Sequence, residues 1–272
     1  MKKKIIGMLF CAVFAGFAQA SVDGSGTLSL WHMDNLTTVD FYAGTPGTTL
    51  ETRSAVADDD SIVTGRNHDL AFGSVNTGGS TYSPALSADG LGHTGTAGDR
   101  ALVFSGAQTA VAPGAWPSIA PQNFKIDFYM NVATAKVATL AMTVNTFEIR
   151  QQQNAVTGLN ELIFYIYDTG PTKNIVSTSF SLNEWDHVEA WVLNGSAHIA
   201  LNGVEANPLG VSVGTLQNPL AGHERLVLGS RWDSSPSKGR FYDGMLDEVK
   251  IVPEPATMIL LGLGLAFLRR KN

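Results

Sequence analysis

Two Asn-Gly pairs, Asn194-Gly195 and Asn202-Gly203, bracket the short run Ser196–Leu201. Within that run Ala197, Ile199 and Leu201 alternate with Ser196, His198 and Ala200. An Asn-Gly pair favours the type I′ hairpin turn, because both central residues need positive φ. The spacing therefore predicts a meander of His187–Leu193, Ser196–Leu201 and a strand following Val204. The same period of two recurs upstream. Phe124, Ile126, Phe128 and Met130 fall on one face, with Lys125, Asp127, Tyr129 and Asn131 on the other. No segment longer than a turn or two carries an apolar period of 3.6. Glycine (28 of 272 residues), with abundant Thr, Ser and Asn, fits strands and turns. The expectation is an all-β, two-sheet sandwich. Asp34–Asp99, rich in Gly, Thr, Ser and Asp, reads as long loops with one or two short strands.

The two ends of the chain belong to a different class of segment. Lys2, Lys3 and Lys4 precede an apolar run from Ile5 to Phe17, and Ala18-Gln19-Ala20 supplies small residues at the cleavage positions. This is the pattern of a signal peptide cut by signal peptidase before Ser21. The only cysteine, Cys11, lies inside it. Removal of the leader excludes disulfides, zinc-thiolate sites and a cysteine nucleophile. At the other end Pro253-Glu254-Pro255 forms an extended peptide that joins neither helix nor central strand. An apolar run to Leu268 follows, closed by Arg269, Arg270 and Lys271. The basic cluster stops transfer on the cytoplasmic side and leaves the preceding domain outside. Ala256 to Leu268 as a helix covers about 20 Å, short of a hydrocarbon core of about 30 Å, so this is a marginal inner-membrane anchor.

The tail resembles the PEP-CTERM sorting signal of exported bacterial proteins, in order as well as composition. The resemblance implies recognition by an exosortase near Pro253-Glu254-Pro255, and release or re-anchoring of the domain at the cell surface or in the extracellular matrix. The chain thus divides into a leader (1–20), one domain (21–251) and a sorting tail (252–272). Between Ser21 and Ile251 stand 12 basic and 23 acidic residues, a net charge of −11. Such a surface excludes nucleic acid and polyanionic glycans as default ligands. It suits neutral sugars, cations or simple solubility.

Four segments in order resemble the laminin G-like branch of the concanavalin A-like lectins and glucanases. They are Leu28–Asp34; Ala101–Gly106 followed by Thr109–Val111; Asn183–Val188 running on through Ala200–Gly203; and Gly244–Ile251. The resemblance implies a jelly roll whose first and last strands lie side by side, and a carbohydrate-binding or adhesion role. Relatives of this fold often carry calcium at a rim of the sandwich. Asp247, sharing a strand face with Val249 and Ile251, is expected to lean toward the core, where a carboxylate needs hydrogen bonds or a cation. With Asp60 of the acidic loop 58–61 it forms a candidate Ca2+ site. The alternative is a hydrogen-bonded structural aspartate beside a solvated acidic loop.

Glu184, Asp186 and Glu189 spell an E-x-D-x-x-E sequence that jelly-roll endo-glucanases use for catalysis. On a regular strand Glu189 points away from Glu184 and Asp186, and a β-bulge is needed to align the acids. Trp116, Trp191 and Trp232, with Tyr242, are candidates for a sugar-stacking platform, Trp232 and Tyr242 foremost, or else packing residues. The reading that covers these features is a non-enzymatic, sorted, sugar-binding or adhesive domain with polysaccharide as its partner. A glycoside hydrolase using Glu184 and Glu189, and a structural matrix protein without a small ligand, stand as alternatives.

Overall fold

The computed structural model describes residues 29–31, 33–34, 36–43, 49–56, 70–72, 83–113, 121–219, 221, 224–231 and 239–252. The leader, Asp60, Trp116, Trp232 and the sorting tail from Pro253 to Lys271 lie outside these residues. Along the chain the strands are β1 (Ser29–Trp31), β2 (Leu36–Ala43), β3 (Thr49–Val56), β4 (Leu70–Phe72), β5 (Ala85–Leu86), β6 (Leu102–Ser105), β7 (Ala110–Pro113), β8 (Phe124–Val132) and β9 (Ala138–Thr143). They continue as β10 (Phe147–Gln153), β11 (Asn160–Ile166), β12 (Lys173–Phe180), β13 (Trp185–Leu193), β14 (Ser196–Leu201), β15 (Val204–Glu205), β16 (Val211–Ser212), β17 (Arg225–Leu228) and β18 (Asp243–Val252). Among the described residues there is no helix, and so none long and apolar enough to cross a membrane.

The strands form two antiparallel sheets. The first runs β15-β14-β13-β8-β18-β6-β5, with β1 also on β18 and β16 on β14. The second runs β12-β11-β10-β9-β17-β7-β4-β3-β2. The meander forms where the two Asn-Gly pairs place it, with Asn194, Gly195, Asn202 and Gly203 all at positive φ (51°, 76°, 51° and 75°). The alternation of β8 is unbroken: Phe124, Ile126, Phe128, Met130 and Val132 are buried, and the residues between them half-buried. These side chains meet Phe147, Ile149 and Phe164 of the second sheet in one core. Phe124, Phe147 and Phe164 form a triangle of ring contacts at 5.3–6.2 Å. Each such ring contributes about 1.5–3 kcal/mol by leaving water.

The first and last strands do lie side by side. Ser29 pairs with Ile251 and Trp31 with Val249. This fixes a near end of the sandwich, where β13 and β18 finish and β1, β8 and β14 begin. Three hydrogen bonds join the two sheets there: Gln217 N to Tyr167 O, Thr169 N to Thr215 O, and Gly214 N to Asp168 Oδ2. At the far end Asn183 N donates to Val132 O and Thr139 N to Arg240 O.

Asp34–Asp99 corrects the reading of long loops. It carries β2 and β3, an eight-residue antiparallel pair in register from Leu36↔Val56 to Ala43↔Thr49, and then β4 and β5. Thr, Val, Phe and Tyr give these strands β-propensity without a wide apolar face. Ala55 and Ala71 bury with Val111, Met142, Val144 and Val227 in a second, smaller cluster.

Candidate functional site

The outward face of the first sheet is built by two neighbouring strands whose alternate residues are polar or aromatic. From β13 come Trp185, His187, Glu189 and Trp191; opposite them on β8 stand Asn131, Tyr129, Asp127 and Lys125. The register is continuous from Trp185↔Asn131 to Val192↔Phe124. All eight are half-buried, as a sheet face flanked by loops requires.

These groups are tied to one another. His187 Nε2 lies 2.6 Å from Asp127 Oδ1, and Lys125 Nζ contacts both Asp127 and Glu189. Burial lowers the affinity of Lys125 for its proton, but the two carboxylates outweigh it and hold its pKa above the ordinary lysine value. Asp127, His187 and Glu189 bring ligand-type atoms within 4.8 Å of one another. Lys125 already supplies the cation between them, so the set reads as an ion network. Trp191 stacks flat on His198 (5.0 Å, 3°), whose Nδ1 is 3.3 Å from Glu205.

On the other flank the 87–101 loop folds onto the sheet. His93 stacks on Tyr129 (3.8 Å, 17°), and Tyr129 stacks in turn on His187 (4.6 Å, 24°). The loop is pinned by Asp247, whose Oδ2 lies 2.9 Å from both the backbone N and Nδ1 of His93. Asp99 holds the inside of the loop by accepting from the backbone N–H groups of Thr94 and Gly95. Burial penalises the Asp99 charge, but these donors prevail and its pKa falls below the usual carboxylate range.

Asp247 is buried, but on a different face from the one its spacing predicts. Between Asp247↔Tyr129 and Lys250↔Asp127 the register gains one residue, a bulge at Glu248, which sits at φ 51°. Val249 and Ile251 face the core, whereas Asp247 shares the outward face with Tyr129 under the His93 loop. Burial pushes its pKa up against the hydrogen bonds from His93. Its Oδ1 accepts from Glu248 N at 2.8 Å. Calcium wants about six to eight oxygen ligands. Asp247 shares both oxygens with N–H donors and an imidazole; His93, Asp247 and Glu248 bring ligand-type atoms within 4.8 Å of one another, and the other half of the expected Ca2+ pair, Asp60, lies outside the described residues.

The acids at the start of β13 do not converge. Glu184 is exposed in the turn, Asp186 points inward beside Val188, and Glu189 points outward. No bulge interrupts this stretch to bring them together. Asp186 Oδ1 accepts from Asn202 Nδ2 at 2.6 Å, and burial raises its pKa. Tyr242 also departs from expectation. It is fully buried, edge-on to Phe104 at 5.8 Å, with its hydroxyl at the carbonyls of Asn131 (2.8 Å) and Met245 (3.1 Å). The ring is core and offers nothing to a sugar. Of the two expected aromatics among the described residues, Trp191 stands on an outward face and Tyr242 does not.

Comparison with known proteins bears on the whole sandwich. The family model for the concanavalin A-like lectin/glucanases superfamily matches residues 104–258, more than half of the chain. The chain belongs to this superfamily. A second model, the PEP-CTERM protein-sorting motif, matches residues 252–271. It marks an exported, membrane-anchored protein and implies processing by exosortase. No curated protein matches the sequence. Among solved structures, domain 4 of AbnA, an extracellular arabinanase of Geobacillus stearothermophilus solved with arabinotriose, aligns at 17% identity and TM-score 0.51, covering 84% of this chain and 93% of that one. The SAP-like pentraxin of Limulus polyphemus aligns at 14% identity and TM-score 0.42, over 55% and 73% of the two chains. The binding domain of Paraclostridial Mosquitocidal Protein 1 aligns at 13% identity and TM-score 0.49, over 73% and 46%. At these identities the likeness is one of fold.

A further charged group lies on the outward face of the second sheet. Glu148, with no exposed surface, accepts from Thr139 Oγ1 (2.6 Å), Arg150 Nη2 (2.8 Å) and Arg240 Nη1 (3.3 Å). Arg150 also lies 4.0 Å over the Tyr165 ring. Its donors and acceptors satisfy one another, which is the arrangement of a structural ion cluster.

Proposed function

We propose that this lectin/glucanase-like domain is a non-enzymatic carbohydrate-binding module, sorted to the cell surface or matrix, which binds uncharged glycan chains on the outward face of β8 and β13. The observation that carries the reading is the row Trp185, His187, Glu189, Trp191 on one strand face. At about 3.4 Å per residue, the two tryptophans stand about 20 Å apart, a span suited to several sugar residues. Between them lie imidazole, carboxylate and ammonium groups, the donors and acceptors that hydroxyls require. Indole faces suit the apolar faces of sugar rings. The net charge of −11 between leader and tail disfavours uronic-acid polymers.

The outward and inward divergence of Glu189 and Asp186 supports binding over hydrolysis, because paired acids must flank one bond. Residues 21–252 are tested on a panel of neutral oligosaccharides that includes arabinotriose, the sugar in the AbnA structure. The expected result is binding that weakens at least tenfold in Trp191→Ala while the fold is retained. Sugar release that depends on Glu184 would assign a hydrolase. Absence of binding across the panel would leave the structural matrix role.

A further inference from the structure

The sorting motif begins where the sheet stops. Val252 is the last residue of β18 and still pairs with Lys125, and Pro253 follows at once. Only residues 253–257 separate the sandwich from the apolar run that starts at Met258. Fully extended, five residues reach about 17 Å. The ten-residue β18 is itself about 33 Å long. For the sandwich to stand inverted, with its far end on the lipid, Val252 would have to be about twice as far from the bilayer as its tether allows. The uncut chain therefore cannot invert. The start of β1 leaves from the same end, since Ser29 pairs with Ile251.

The two ends also differ in their balance of charge. Toward the near end Lys125, Lys173, Arg225 and Lys250 stand beside Asp127, Asp168, Glu189 and Glu224, which leaves that end close to neutral, and burial lowers Arg225 only to a pKa of about 10, so that it stays cationic. Toward the far end Glu161, Glu184, Asp186, Glu205 and Asp243 outnumber Lys136, Arg231 and Arg240. The β8–β13 face offers an anionic leaflet no net positive charge for side-on contact, because Lys125 and Lys250 are matched by Asp127, Glu189 and Glu248.

We propose that the near end of the sandwich is a membrane-facing surface, which seats the uncut protein end-on against anionic phospholipid and holds the β8–β13 face upright, away from it. The proposal rests on the sorting-tail reading. Exosortase then meets its substrate with the folded sheet directly above the Pro-Glu-Pro peptide, so cutting there frees a domain with no dangling strand.

The test uses the full chain with Cys11→Ala, which leaves no other thiol. One fluorophore is placed at Thr215→Cys, exposed at the near end, or at Val156→Cys, 94% exposed at the far end. Each protein is reconstituted into phosphatidylethanolamine–phosphatidylglycerol vesicles carrying headgroup nitroxides, and far-UV circular dichroism checks its fold. We expect quenching at residue 215 to exceed that at residue 156 several-fold. Equal quenching, or stronger quenching at 156, in protein that floats with the vesicles overturns the orientation. Protein that does not float overturns the anchor reading, and the orientation with it.

Discussion

Removing the Asp247 carboxylate tests whether it acts as a hydrogen-bonded clamp or as a metal ligand. In Asp247→Ala, three contacts vanish: the backbone N and Nδ1 of His93, 154 residues away, and the N–H of Glu248. A hydrogen bond to a charged group contributes about 1.5–3 kcal/mol, a neutral one about 0.5–1.5. Burial raises the pKa of Asp247, which shows that desolvation takes back part of this gain. Three bonds at the low end of the charged range come to about 4.5 kcal/mol, and the desolvation relieved on removing the carboxylate brings the net loss to about 3 kcal/mol. For a domain of this size that lowers Tm by roughly 6–12 °C. Asp247→Asn keeps one acceptor oxygen and is expected to lose about half as much. Urea melts of residues 21–252 measure the loss, and hydrogen exchange at the His93 amide locates it in the 87–101 loop. The loss is expected to be the same with and without chelator. A change below 1 kcal/mol, or a penalty that disappears once chelator has already destabilised the parent protein, would refute the clamp.

Three other outcomes are expected. Gly229→Ala forces a Cβ to within 2.1 Å of the Phe104 ring at φ 77°, and a cost of about 2–4 kcal/mol should appear in denaturant melts. Burial works against the Glu148 charge, but Arg150, Thr139 and Arg240 prevail and hold its pKa below the ordinary value. Its stabilisation is therefore complete above an unfolded-state pKa of about 4.3 and is lost as pH falls through the lower folded value. Glu148→Gln should flatten stability against pH in that window, while costing about 3–5 kcal/mol at pH 7 by stranding Arg150. Val156→Thr, in a turn 94% exposed, should change stability by less than about 0.5 kcal/mol.

The parts of the fold legible in the sequence are those specified locally. Asn194-Gly195 and Asn202-Gly203 set both turns of the meander, and the alternation of β8 set its face. The neighbouring places of β1 and β18 came through family resemblance, since nothing local in Ser29–Trp31 specifies a partner more than 200 residues away. The β2–β3 pair was hidden because Thr-rich strands on a small second cluster lack an apolar stripe. The site was less legible. One non-glycine residue at positive φ, Glu248, shifts the phase of β18 and carries Asp247 to the opposite face, and no residue type announces that. His93 sits in a glycine-rich stretch that reads as a plain loop, because its partners Asp247 and Tyr129 meet it only in the folded state. Tyr242 is by residue type a candidate either for sugar stacking or for packing. Its hydroxyl finds two carbonyls inside the sandwich.

The most direct test of the sugar-binding account is an amide chemical-shift map of residues 21–252 titrated with the best neutral oligosaccharide from the panel. The account predicts saturable shifts concentrated at Trp185, His187, Glu189 and Trp191 and at their β8 neighbours, with the indole N–H signals among the largest. Shifts confined to the second sheet or to the far-end turns, with the β13 row silent, would contradict it.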